Sequence, residues 1–314
     1  MFRKLALFSA VAALAAFAAP AAAAPAAGVK KEASMALKAD KSGYADVNGI
    51  KLYYAVYGKG EPLVLLHGGL GHAEMMAPVI ARLASGRQVI VADLQGHGRT
   101  ADVDRPIRYE TMGDDIAALI RYLKIEKADV MGYSMGGGVA LRTAIQHPDL
   151  VDRLVVVSAV FRRDGWFADI RAQQEGLNGS AAEAMKPTPM YQSYVAVAPR
   201  PEDFSRLLDK MGAFMKRDYD WAEEVRGLAS PTMLVFADHD MMPTSHMAEF
   251  FGLLGGGKKD AGWMGENMTP HRLAILPGLT HYNAFLSPSL PETVLPFLDG
   301  EADAPRWGET PVEQ

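Results

Sequence analysis

The chain has 314 residues, 49% of them hydrophobic, and a formal net charge of −5. That apolar content suffices for one sizeable core, and the absence of a basic patch or charge block excludes nucleic acid as a partner. Cysteine is absent, so neither a disulfide nor a lipid-modified cysteine anchor can form.

Arg3 and Lys4 precede an apolar run from Leu5 to Ala19, then Pro20 and an alanine-rich stretch to Ala27. This charged, apolar, small-residue order predicts a signal peptide over residues 1–27, cut near Ala24–Ala27, and a periplasmic or secreted mature protein. The apolar run is short for a membrane span, so no stable membrane insertion is expected after its removal. Residues 28–43 read as a polar linker. Tyr44 to Tyr57 alternates around Asn48-Gly49, the pattern of a hairpin with a type I′ turn. Pro62 to Leu66 is a buried-strand run that ends in His67-Gly68-Gly69-Leu70-Gly71-His72. A strand over Gln88 to Ala92, a helix over Met112 to Leu123 and a strand over Ala128 to Met131 follow. The last of these runs into Gly132-Tyr133-Ser134-Met135-Gly136, a helix containing Val139, Leu141 and Ile145, and a strand over Arg153 to Ser158. Such alternation predicts an α/β class with a mostly parallel sheet and helices on both faces.

The alternation stops between residues 161 and 226, which read as helical with prolines at 187, 189, 199 and 201. The aromatic and methionine residues there, Trp166, Phe167, Met185, Met190, Tyr191, Tyr194, Phe204, Met211, Phe214 and Met215, supply candidates for an apolar pocket, although most must pack internally. Strands resume at Pro231 to Phe236 and Arg272 to Leu276. Between them, Leu254 to Met268 is a glycine-rich surface excursion carrying Trp263. The resulting division is 44–160 and 227–300 for the two parts of one core, with an insert at 161–226 and a tail at 301–314.

Gly-x-Ser-x-Gly between a strand and a helix is a nucleophile elbow, a turn so tight that its flanking positions must be small. Ser134 is therefore the predicted nucleophile. It requires a base, a carboxylate to orient that base, and donors for an oxyanion. His281 follows the last strand and the Pro277-Gly278 turn and is the candidate base. The carboxylate lies in the loop after the preceding strand, where Asp240 is favoured over Asp238. The amides of Met135 and Gly69 are the candidate oxyanion donors, with Leu70 the alternative for the second. His67 reads as a prop for its own loop. Asp238, His239, Asp240 and His246 look like a metal set, but the triad already uses Asp240, and no metal or cofactor is expected.

These landmarks, His67-Gly68-Gly69, Asp93-Leu94-Gln95-Gly96-His97-Gly98-Arg99, Gly132 to Gly136, Asp240 and His281, resemble those of the α/β-hydrolase superfamily, in its branch with a helical cap. The resemblance implies that residues 161–226 form the cap over the active site. Gln95 departs from the family pattern, which commonly has a basic or small residue there. A serine at the elbow argues against the dehalogenases and epoxide hydrolases of similar fold, which carry aspartate. The expected function is hydrolysis of small to medium apolar esters or lactones, with a small-molecule ester as the substrate. An amidase, an aminopeptidase or a C–C bond hydrolase remains an alternative, as does a ligand sensor that retains the triad. Relatives of the proline iminopeptidase kind usually show Gly-Gly-Pro-Gly after the first histidine, and Gly68-Gly69-Leu70-Gly71 differs from that.

Overall fold

The computed structural model describes residues 37–300. The proposed signal peptide, most of the linker and the tail at 301–314 lie outside the described residues. Eight strands form one sheet: β1 (Lys41–Val47), β2 (Ile50–Tyr57), β3 (Pro62–Leu66), β4 (Gln88–Ala92), β5 (Ala128–Tyr133), β6 (Val151–Val157), β7 (Thr232–His239) and β8 (Arg272–Thr280). Their order across the sheet is β1-β2-β4-β3-β5-β6-β7-β8. β2 runs antiparallel to β1 and β4, and every pair from β4 to β8 is parallel.

The β1–β2 turn has Asn48 at φ 46° and Gly49 at φ 79°, the two left-handed positions of a type I′ turn. β1 starts at Lys41, three residues inside the stretch read as linker, because its ladder with β2 extends to the Lys41–Val56 pair. The central strands are buried on both faces. Val64 and Leu66 of β3 face one apolar layer and Leu63 and Leu65 the other, following the two-residue period of a strand. Helices α1 (Ala77–Leu83), α2 (Tyr109–Tyr122) and α3 (Met135–Gln146) cover the sheet, α1 on the Leu63 side and the other two opposite.

Between β6 and β7 the chain is helical: α4 (Ala168–Glu175), α5 (Ala182–Met185), α6 (Pro189–Val197), α7 (Phe204–Met215) and α8 (Ala222–Arg226). A single antiparallel bridge, Arg162 to Asp220, closes the base of this insert. α9 (Thr244–Leu253) and α10 (Ser289–Leu298) complete the core. Among the described residues no helix is long and apolar enough to cross a membrane.

One buried carboxylate ties the insert to the core. Asp102, on the loop after β4, pairs with Lys210 at 2.7 Å and Arg206 at 3.0 Å, both from α7. The Lys210 ammonium also donates to the carbonyls of Val103 and Arg105, and Arg200 donates to the carbonyl of Asp102. Gln95 completes the brace: its amide donates to Asp102 at 3.0 Å and its oxygen accepts from Arg105 at 2.7 Å. The residue that departs from the family pattern thus holds the loop to which the insert is fastened.

Removing a buried charge partner leaves the other charges uncompensated, whereas exposed pairs are screened. Asp102→Ala is expected to destabilise the chain by about 3 kcal/mol. Arg206→Ala, whose side chain is 46% exposed, should cost less than about 1 kcal/mol. Urea unfolding midpoints at constant slope check both, and equal midpoints for the two variants would contradict the buried-anchor account.

Candidate active site

The parallel strands deliver their carboxyl ends to one edge of the sheet, and the site is assembled there from four of them. β5 ends in the elbow. Ser134 adopts φ 55° and ψ −118°, a conformation that L-residues avoid and that lifts the hydroxyl out of the sheet. The turn closes so tightly that a Cβ on Gly132 would lie 2.0 Å from the Gly136 carbonyl oxygen, and one on Gly136 would lie 2.5 Å from the Leu66 and His67 carbonyls. Both positions must be glycine for β5 to pass directly into α3 beside β3.

His281 follows β8 and is 5% exposed. Its Nε2 stands 2.9 Å from Ser134 Oγ and its Nδ1 2.6 Å from Asp240 Oδ1. The tautomer that satisfies both contacts donates from Nδ1 to the carboxylate and accepts the serine proton at Nε2. Asp240 follows β7 directly. It accepts from Ser158 Oγ at 2.6 Å and from the amides of Met241 and Ala237 at 2.8 and 3.1 Å. Burial pushes its carboxyl upward, but the bond and charge of His281, with Ser158 and Met241, outweigh that and hold it below the ordinary carboxylate value. It therefore stays ionised wherever His281 needs an orienting anion.

Asp238 has a different task. It accepts from the amides of Gly278 and Leu279 at 2.9 and 3.1 Å, pinning β8 at the irregularity in its ladder with β7. These backbone bonds and His239 depress its carboxyl to about 2. Between the two candidate carboxylates, the structure brings Asp240 to the histidine and leaves Asp238 in the backbone of the loop that carries it. His246 turns away from both, stacked on Phe161 at 4.5 Å. The four residues that resemble a metal set in sequence do not converge.

Met135 is the first residue of α3, so its amide has no intrahelical partner. Gly69 lies opposite, its Cβ position 3.9 Å from Met135 Cβ, and Gly68 lies against Ser134 in the same way at 3.3 Å. Among the described residues the amides of Met135, Gly69 and Leu70 donate to no protein acceptor. His67 accepts from the Leu94 amide at 3.0 Å through Nε2 and donates from Nδ1 to the Gly68 carbonyl at 2.7 Å. Both ring nitrogens are committed to the loop, the propping arrangement.

A cavity of about 190 Å³ opens in front of Ser134. Its wall is methionine and aromatic: Met75, Met190, Met215 and Met241 with Trp166, Phe214 and Phe285. Of the insert residues named from sequence, Trp166, Met190, Phe214 and Met215 line it. Met185, Tyr194, Phe204 and Met211 are buried in packing, and Phe167 is exposed. Trp263 is 82% exposed, on the connection into the amino-terminal end of β8 and away from the cavity.

Residues 61–188 match the family model described as the alpha/beta hydrolase fold. An enol-lactonase from Burkholderia xenovorans LB400 superposes with a TM-score of 0.58 at 24% identity, covering 82% of this chain and 99% of that one. The chain has the α/β-hydrolase fold. Its curated relatives include an sn-1-specific diacylglycerol lipase from Danio rerio, 36% identical over 138 residues, 41% of this chain and 43% of the relative. A soluble epoxide hydrolase from a Corynebacterium species is 36% identical over 119 residues, 37% of this chain and 41% of the relative. The chain thus spans less than half the length of these relatives, and they act on different bonds.

Two contacts of this α/β-hydrolase site escaped the sequence reading. Ser158 directly follows β6 at φ 51°, and its hydroxyl reaches Asp240 just after the next strand. Tyr133, the residue before Ser134, donates its buried hydroxyl to the His281 carbonyl. The serine left no pattern in the sequence, and only the elbow motif itself drew attention to Tyr133.

Burial lowers five histidines below their usual 6.5, His72 and His271 among them; His67 falls to about 4, His97 to about 3 and His246 to about 4. The folded state refuses protons that the unfolded state binds, so their stabilising contribution is complete above pH 6.5 and is lost as pH falls towards 4. Each group steepens that loss by up to about 1.4 kcal/mol per pH unit. Urea midpoints measured from pH 7 to 4.5 should fall steadily, with protons taken up on unfolding; a flat profile would refute neutral burial.

Proposed function

We propose that the chain is an exported serine hydrolase that cleaves carboxylic esters or lactones of small to medium apolar acyl groups. The observation that carries this reading is the unbroken relay from Ser134 Oγ through His281 to Asp240, at 2.9 and 2.6 Å, facing two unpaired amides. His281 takes the proton of Ser134 as the hydroxyl attacks the substrate carbonyl, and Asp240 stabilises the imidazolium that forms. The Met135 and Gly69 amides receive the developing oxyanion, each contributing on the order of 3 kcal/mol to the transition state. The protonated His281 then releases the alcohol. Water activated by the same ring frees the acid and restores Ser134.

The mainly apolar wall of this cavity of about 190 Å³ favours an apolar acyl group of short to medium length. The arrangement of Arg3, Lys4, Leu5 to Ala19 and the alanines to Ala27 supports export to a periplasm or beyond.

A p-nitrophenyl ester series from acetate to long acyl chains should show an optimum at short to medium length, and Ser134→Ala should abolish turnover. Asp240→Asn should lower kcat by roughly 10³- to 10⁴-fold. Ser158→Ala, which removes one bond to the carboxylate, should lower it by roughly tenfold. Cleavage of aminoacyl naphthylamides without cleavage of any ester would replace this reading with a peptidase.

A further inference from the structure

A second serine and histidine meet outside the relay, across the seam between insert and core. His72 closes the loop that begins at His67, and its Nε2 lies 2.6 Å from the Ser193 hydroxyl of α6. His72 lines the cavity and is 7% exposed, and its Nδ1 is buried with no hydrogen-bond partner. Whichever tautomer the ring adopts, one bond forms at Nε2 and Nδ1 is left out. The pair is therefore not a second relay: no carboxylate orients the imidazole, and Ser193 sits inside a helix instead of on a strained turn. It joins two walls of one cavity.

The helix that carries Ser193 is loosely packed. Of the nine residues of α6, only Tyr194 is buried. Tyr191 and Tyr194, three positions apart, set their rings 5.0 and 5.1 Å from that of Phe204, so one face of the helix packs inside the insert. Met190 and Ser193, also three apart, form the neighbouring face, where Met190 lines the cavity and Ser193 meets His72. Other side chains bond locally: among the described residues, Thr188 accepts from the Tyr191 amide and Gln192 donates to the Lys186 carbonyl, both within the insert. The tie from α6 to the core is the one at His72. Burial lowers His72, so the ring is neutral at pH 7 and the bond joins two uncharged groups. Such a bond shifts an opening equilibrium roughly two- to tenfold, enough to bias a loosely packed helix without locking it.

We propose that the His72–Ser193 bond is a strut that holds α6, and Met190 with it, as the wall that limits the acyl chain the cavity accepts. An acyl group that fits with α6 in place leaves the bond intact. A longer one reaches Ser134 only with α6 displaced and forfeits the bond, so the strut counts against long chains alone. Both residues act by position, through the helix that carries Met190, and not on the reacting atoms. The strut rests on the serine-hydrolase reading and adds to it what sets the acyl length.

The test compares p-nitrophenyl butanoate and decanoate in the native protein, Ser193→Ala, Ser193→Thr and Met190→Ala. The ratio of kcat/KM for decanoate over butanoate should rise roughly two- to tenfold in Ser193→Ala. Ser193→Thr, which keeps a hydroxyl, should hold the native ratio. Met190→Ala, which cuts back the same wall and leaves the bond in place, should also raise it. An unchanged ratio in Ser193→Ala or in Met190→Ala, an equal loss on both esters, or a Ser193→Thr ratio matching that of Ser193→Ala would each overturn the strut. Calorimetric titration of the Ser134→Ala protein with the two product acids, with and without Ser193→Ala, reads the same wall without turnover. Binding of the longer acid relative to the shorter should tighten by the same factor, and an unchanged ratio would overturn the strut. Failure of the native protein to cleave either ester would sink the hydrolase reading, while the titration would still decide the strut.

Discussion

The direct passage of β5 into α3 around Ser134 is the constraint on which the rest of the site depends. With no room for a side chain at Gly132 or Gly136, the strand turns into the helix within one residue. That one turn achieves three things at once. It holds Ser134 in its strained conformation, it frees the Met135 amide at the start of the helix, and it brings the β3 loop close enough for Gly68 and Gly69 to face both. The strain is sustained because β5 is paired on both sides and buried along its whole length.

The opposite wall of the site is held by a second strategy, in which backbone groups fix charged and polar side chains. Asp240 is gripped by two amides and Ser158, Asp238 ties down the end of β8, and Tyr133 holds the His281 carbonyl. The imidazole is thus positioned from three neighbouring strands, β5, β6 and β7, besides the one that carries it. The insert over the site is secured at a distance, through Asp102 and its cations on the loop after β4. The cavity between insert and core is left with a mainly apolar wall, interrupted by His72, Arg163, Gln173 and Gln174.

Much of this could be read along the chain. The continuous apolar runs of β3 and β4, the Asn48-Gly49 turn and the strand before Gly132 are local patterns, and they gave element types that the fold reproduces. Ser134 and His281 were legible for the same reason: each follows a strand and a glycine-containing turn. The carboxylate was harder, because Asp238 and Asp240 share one loop and a strand's alternation does not say where it ends. β7 continues to His239, so Asp238 faces the β8 backbone while Asp240 clears the sheet and reaches the ring. Ser158 and Tyr133 lay beyond any local rule, since their partners are 82 and 148 positions away.

By itself the sequence determined the order and kind of elements, the placing of Ser134 and His281 just after their strands, and the apolar character of the insert, because each is written in neighbouring residues. Only the tertiary structure decided which aspartate meets the histidine, which side chains steady that pair, and which insert residues face the cavity. Those outcomes depend on distances of a few ångströms between segments brought together by the parallel register of the sheet and the packing of the insert. A hydrogen bond is made or lost within such distances, and spacing along the chain carries no measure of them.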